Sequence, residues 1–257
     1  PENIRSAMEI TAEMRIIKEA GEITNFKKAA EITKKAHLLA MSAVRPGMME
    51  YEISALVEYV FRKSGAERYG YPTIAASGNN ATTLHYDSNK SRIKKGSLML
   101  LDAGAEYDFY ASDITRSFPV SGEFSHEQEL IYELVLSAQL AAIDKVKPGN
   151  HWNDPHDTAI EVLTDGLLEL GILRGTRKKL ISDQAYSRYY MHRTGHWLGM
   201  DVHDVGDYKL DGEWRMLDVG MILTVEPGLY FPPGRGLAKK WWNIGIRIED
   251  DVLVTRG

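Results

Sequence analysis

One thirteen-residue stretch of this chain occurs twice. Residues 36–48, AHLLAMSAVRPGM, align without gaps to residues 138–150, AQLAAIDKVKPGN, 102 positions further on (138 − 36). Ala36, Leu38, Ala40, Val44, Pro46 and Gly47 recur as Ala138, Leu140, Ala142, Val146, Pro148 and Gly149. Each copy reads as the end of a helix, because proline cannot continue the hydrogen-bond ladder and glycine accepts the conformation that closes it. A further helix follows each copy, from Tyr51 to Lys63 ending near Gly65, and from Pro155 to Leu170 ending at Gly171. Pro155 suits a first helical position, with Asp154 as its cap. Amphipathic helices stopped at Pro-Gly also resemble one another by chance. The strands that follow in each half decide for a true repeat, since both carry a pair of acids.

The predicted halves run over about 10–122 and 123–257. In the first, a helical pattern extends from about Thr11 to Ala43, with Thr24 as a candidate break. Strands are expected near Tyr71–Ala76, Thr82–Tyr86, Leu98–Ala103 and Phe109–Pro119. The second half begins near Ser125, where Ser125 and Gln128 have capping-box spacing. It runs helix, helix, then strands to Val254. Helices segregated from mainly antiparallel strands define an α+β fold. No Ser/Gly-rich linker divides the halves, so residues 1–257 read as a single domain.

Bulk properties narrow the function. Net charge is −5, which argues against nucleic acid or an anionic membrane as the main partner. There are no cysteines, which excludes disulfides and thiolate metal sites and is compatible with a cytoplasmic setting. No apolar run reaches the roughly 18 residues a membrane span needs. The first residues are charged and helical in pattern, with no signal-peptide core. The sequence opens on Pro1 rather than Met, as a fragment or a processed product would.

Chemistry enters at Asp102 and Asp113, in LMLLDAGAEYDFYASDITRSFPV. The run reads as strand, polar middle, strand. A turn centred on Tyr107 and Asp108 would set the two aspartates opposite each other, with Cβ atoms about 4.5–5.5 Å apart. Two buried carboxylates that close repel, and one would normally keep a proton. A divalent cation between them removes the conflict. Glu226 in MILTVEPGLY and Glu249 in IGIRIEDDVLV form a second pair on either side of a PPGRG segment. By strand alternation Thr224 accompanies Glu226, and Arg247 accompanies Glu249. Taken singly, each acid fits an exposed strand face or an ordinary ion pair. Together, with His192, His196 and His203 crowded into YYMHRTGHWLGMDVHDVGDY, they point to a metal centre. His85 and Arg247 remain open on pattern alone.

Four carboxylates and one neutral imidazole carry −4. Two divalent cations and a bridging hydroxide leave −1, so a two-metal site suits the set better than one ion. Oxygen-rich ligation without sulfur favours Mn²⁺, with Co²⁺ or Zn²⁺ as substitutes. Such a site supports hydrolysis without naming the bond.

DAGAEYDFYASDITR, HWLGMDVHDVG, TVEPGLY and GIRIEDD closely resemble the motifs of the pita-bread metallopeptidases. The likeness is to proline-specific members, Xaa-Pro aminopeptidase (aminopeptidase P) and the related prolidase, and covers the chain from about Ile10. It implies a pita-bread fold of two pseudo-symmetric halves and a peptide substrate with proline second. It implies that Asp102, Asp113, His196, Glu226 and Glu249 bind two metal ions, Asp113 and Glu249 bridging both. Glu226 would also serve as general base. His203 and His85 would contact the scissile carbonyl, His192 would line the proline side of the pocket, and Arg247 would orient the acids. Trp197 after the histidine ligand favours the aminopeptidase over prolidase, and the DVHDVG segment is less like methionine aminopeptidase. Filled ligand positions disfavour a non-catalytic binding module or a creatinase-like member. Arg193 and Gly195 depart from the Gly and Ser of many members. Full-length members carry an N-terminal domain that helps form the pocket and the oligomer; its absence from these residues fits either a domain that was removed or a stand-alone catalytic unit with different substrate limits, and a homo-oligomer is among the expectations.

Overall fold

Helix α1 (Met8–Ile16) and helix α2 (Ala20–Ala43) are followed by α3 (Glu50–Lys63). This computed structural model describes residues 7–234 and 236–256; the start of the N-terminal helical pattern, Pro1 included, and Arg235 of the PPGRG segment lie outside them. The next strands are β1 (Arg68–Tyr69), β2 (Ile74–Ser77), β3 (Leu98–Ala103), β4 (Ala105–Tyr107), β5 (Tyr110–Ala111) and β6 (Ile114–Pro119). Helices α4 (His126–Ile143), α5 (Asp154–Glu169) and α6 (Arg177–Ser182) come next. Strands β7 (Lys209–Leu210), β8 (Glu213–Trp214), β9 (Ile222–Val225), β10 (Gly228–Phe231), β11 (Ile244–Arg247) and β12 (Asp250–Leu253) complete the order.

The two copies of the repeat make the same backbone bonds. After α2, the Gly47 N–H donates to Ile93 O (2.8 Å) and the Ile93 N–H to Met48 O (2.8 Å). After α4, the Gly149 N–H donates to Leu217 O (3.1 Å) and the Leu217 N–H to Asn150 O (2.7 Å). Gly47 and Gly149 have φ of 98° and 89°, a region that L side chains avoid, so both Pro-Gly stops need their glycine.

Where the observed elements differ from expectation, tertiary pairing is the cause. The helical pattern breaks at Ile17–Glu19, not Thr24, because Ile17 bridges Met221 and the Lys18 N–H donates to Gly220 O (2.8 Å). Thr82–Tyr86 is no strand: a 3-10 turn covers Gly78–Thr82, and the Thr83 N–H donates back to Asn80 O (2.9 Å). Asp154 is the first residue of α5 rather than its cap, and its carboxylate accepts the His151 N–H (2.8 Å). Ser125 and Gln128 do form the expected capping box, at 3.3 and 3.0 Å. Helix α6 carried no expectation.

Antiparallel β2-β3-β6 forms one sheet, and β10-β11 and β9-β12 form antiparallel pairs in the other half. They meet along β6, where the Glu249 N–H donates to Thr115 O (3.1 Å) and the Arg247 N–H to Ser117 Oγ (3.1 Å). Helices cover the outer faces. Ile32, Val57 and Phe61 pack with Met99 and Leu101 on one side, and Val135 and Leu163 pack with Leu229 and Ile246 on the other. Burying each such side chain contributes roughly 1.5–3 kcal/mol. No helix among the described residues is long and apolar enough to cross a membrane.

His37 of α2 lies beneath the first sheet, with Nε2 3.3 Å from Ala103 O. It is only 3% exposed, and burial pushes its pKa down to about 4. Unfolded, the ring titrates near 6.5. Folding therefore favours the neutral ring, so this contribution is intact above pH 6.5 and is lost as pH falls towards 4. The loss from this group is on the order of 3 kcal/mol. Urea unfolding of the native chain between pH 7 and 4 should show a steeper decline than that of His37→Leu. Parallel pH profiles would refute the assignment.

Candidate metal centre

The hairpin that carries the aspartates turns at Asp108 and Phe109, with φ of 48° and 70°, one residue later than the sequence predicts. A two-residue turn with both φ positive matches strand twist, which leaves Tyr107 paired with Tyr110 in β4 and β5. Asp102 consequently faces Thr115, not Asp113, which sits diagonally across the ladder. The carboxylates still converge. The Tyr71 hydroxyl lies 2.6 Å from Asp102 Oδ1 and 2.5 Å from Asp113 Oδ1, and its single proton serves one at a time. Gly104 makes the crossing feasible, because a Cβ there would lie 1.7 Å from Ser112 O.

The other two acids sit at breaks between strands. Glu226 follows β9, and Pro227, lacking an N–H, ends the ladder there. Glu249 lies between β11 and β12 and is 2% exposed. Its Oε2 accepts the Thr115 hydroxyl (2.5 Å), a bond across the seam between the halves. Arg247, also 2% exposed, donates Nε to Thr115 Oγ1 (3.0 Å), Nη1 to the Tyr230 hydroxyl (3.1 Å) and Nη2 to Asp102. Its Nε is 3.9 Å from Glu249 Oε2. These bonds tie Arg247 to Asp102 directly and to Glu249 through Thr115.

His196 reaches the centre from the loop before β9. Its N–H donates to Thr224 Oγ1 (3.1 Å), and its Nδ1 lies 2.9 Å from Trp197 O. A proton on Nδ1 makes that bond and leaves Nε2 to face the acids. Nε2 is 3.3 Å from Asp113 Oδ2 and 3.7 Å from Glu226 Oε1. Gly195 permits this approach, since a Cβ there would stand 2.0 Å from Thr224 O. The His203 ring is centred 4.2 Å from that of His196. His192 Nε2 meets the Tyr230 hydroxyl at 2.9 Å, and its Nδ1 is 3.7 Å from Glu226 Oε2. His85 is exposed and lines the same cleft.

All nine predicted residues line one cleft of about 570 Å³. Arg193 lines it as well, its guanidinium over the Trp214 ring at 5.0 Å and bonded to Asn153. Sequence reasoning missed four groups. Thr115 and Asp251 lie two positions from Asp113 and Glu249, so strand alternation could have found them. The Asp251 carboxylate accepts the Asp113 N–H (3.1 Å). Tyr71 and Tyr230 carried no local pattern.

The electrostatics call for added positive charge. Burial raises the pKa of Asp102, against the lowering effect of Arg247, and lifts Glu249 well above the carboxylate range. Burial also pushes Glu226 up to about 7, with His196 and Arg247 opposing. His196 goes the other way: burial lowers it, but Asp113, Glu226 and Trp197 O together outweigh burial and push it up to about 9. Burial holds His192 down to about 3, hence neutral, and lowers His203. Arg247 is a buried cation that the sequence count omitted, yet it offsets only one of the four acids. Ligand atoms of Asp113, His196 and Glu249 all lie within 4.8 Å of one another, so the residues fit a divalent cation.

The profile of metallopeptidase family M24 matches residues 24–256. The chain belongs to that family. A curated relative, the Xaa-Pro aminopeptidase of Haemophilus influenzae, is 46% identical over 95% of this chain. This chain spans 56% of that relative's length. The solved aminopeptidase PepP of Pseudomonas aeruginosa superposes with a TM-score of 0.96 at 53% identity, over 97% of this chain and 57% of its own. An Escherichia coli aminopeptidase P, solved with the inhibitor Pro-Leu, gives a TM-score of 0.95 at 42% identity, over 98% of this chain and 57% of its own. The superpositions bear out the α+β pita-bread fold expected from the motifs.

Proposed function

We propose that residues 1–257 form the single catalytic domain of a dinuclear metal-dependent aminopeptidase. It hydrolyses the bond between an N-terminal residue and a following proline. The observation that carries this reading is the convergence of acids from both halves in one cleft that His85, His192, His196 and His203 also line. Asp102, Asp113, His196, Glu226 and Glu249 would hold two divalent ions, which when bound supply the Lewis acidity that activates water and polarises the scissile carbonyl.

The chain's own groups divide the remaining work. Glu226, with a pKa of about 7 set first by burial, accepts the proton of the attacking water and passes it to the departing amine. His203 and His85, which line the same cleft, donate hydrogen bonds to the carbonyl oxygen as charge gathers there. His192, held neutral and tied to Tyr230, borders the apolar side where a proline ring fits beside Tyr71 and Ile74. Arg247 fixes Asp102 and, through Thr115, Glu249. The oxygen-rich donor set favours Mn²⁺. A cytoplasmic setting, a homo-oligomer, and no role for nucleic acid or membrane complete the proposal.

Two measurements test it. Protein supplied with Mn²⁺ is expected to hold two ions per chain by elemental analysis; none bound to the folded chain would favour a binding module. Peptides of three or more residues with proline second should be cleaved after the first residue. Turnover of Xaa-Pro dipeptides alone would replace this reading with that of a prolidase.

A further inference from the structure

Glu50, at the start of α3, is completely buried and lies outside the cleft. Its Oε1 accepts the Ser77 N–H (2.8 Å), the Ser77 hydroxyl (2.8 Å) and Asn80 Nδ2 (2.9 Å). Its Oε2 accepts the Tyr86 hydroxyl (2.7 Å) and the Ser91 N–H (2.9 Å). No ion pair joins it to a cation among the described residues. Five neutral donors thus satisfy one buried carboxylate and take up all of its roughly four lone-pair sites. All five belong to residues 77–91, the loop that carries His85.

The repeat does not require this arrangement. The second copy has Trp152 where the first has Glu50, although both backbones make the corresponding bond, Glu50 N–H to Ser91 O (3.0 Å) and Trp152 N–H to Arg215 O (2.8 Å). Other contacts fix the loop's ends. Asn89 accepts the Ala75 N–H (2.9 Å) and donates to Thr73 O (2.7 Å). Ala81 O lies where a Cβ on Gly245 would stand 2.0 Å away, so the loop is pressed against β11. His85 itself is exposed, with no side-chain bond among the described residues to hold it. Its place is set by backbone alone, and the adjoining Tyr86 is the nearest anchored residue.

We propose that Glu50 is the positioning residue of this loop and, through Tyr86 and Ser91, sets His85 against the scissile carbonyl. The inference rests on the role given to His85 above. A glutamine at 50 turns an NH₂ group towards donors and releases one arm of the network. A phenylalanine at 86 removes one bond and keeps the ring, which packs against the apolar group around Ile74 and Leu100.

The test uses the metal-loaded chain and a peptide with proline second. Glu50→Gln should lower kcat on the order of 100-fold, as a displacement of about 1 Å can. Tyr86→Phe should lower it about fivefold, with KM little changed. In a His85→Ala background both effects should shrink to less than about twofold, because groups that act through one residue are not additive. Undiminished losses in that background, or no loss from either single variant while His85→Ala is itself impaired, would overturn the proposal. Should Glu50→Gln not fold, Tyr86→Phe alone decides. His85 ring resonances give a second readout that does not depend on turnover. Unmoved in Tyr86→Phe, they refute the positioning role; moved, alongside a fully active His85→Ala variant, they uphold it and refute the role of His85 instead.

Discussion

Glu226→Gln should leave a folded protein with kcat lowered roughly 10²–10⁴-fold, the span covered by loss of a positioned proton acceptor. The substitution keeps the size of the side chain and its place after β9. It removes the anionic charge that faces His196 at 3.7 Å and His192 at 3.7 Å. An amide cannot take a proton from water at neutral pH, and it is a poorer ligand for a hard cation. Elemental analysis should therefore show weakened metal retention together with the loss of turnover. Activity within about tenfold of the native chain would remove Glu226 from its proposed role.

Gly104→Ala should damage the site through the backbone, without touching a ligand. The added methyl would lie 1.7 Å from Ser112 O and 3.0 Å from Tyr71 Cε1. Main chain cannot swing aside as a side chain can, so the strand leading to Asp113 must move. A cost of about 3 kcal/mol or more is expected, at the upper end for overpacking. Displacing Asp113 also breaks its shared contact with Asp102 at Tyr71, so metal affinity should fall with stability. Urea unfolding and a metal titration check both effects. Native values for both would mean that the hairpin tolerates separation there.

Much of the centre was legible from the chain because its chemistry is local. DITR, HWLG, VEPG and RIED each hold a ligand type in a context of strands and glycines, and every predicted residue reaches the cleft. The hairpin register differs from the expected one because YDFY offers two possible centres, and only the positive φ at Asp108 and Phe109 selects the later one. Thr82–Tyr86 looks like a strand because it is β-rich. It coils instead because the buried Glu50 carboxylate draws in donors from Ser77 to Ser91. Arg247 was ambiguous for a related reason: its partners Asp102 and Tyr230 lie 145 and 17 positions away.

The sequence alone determined the duplicated helix-stop pattern, the capping at Ser125 and the set of acidic and imidazole side chains proposed here to hold metal. These depend on interactions over a few residues, where propensity and alternation act. The tertiary structure decided the diagonal placement of Asp102 and Asp113, the break at Ile17–Glu19 and the Thr115–Glu249 seam that joins the two acid pairs. The first follows from the turn conformation at Asp108 and Phe109, and the other two are fixed by partners far along the chain. A buried polar group must find such a partner wherever the fold brings one within reach.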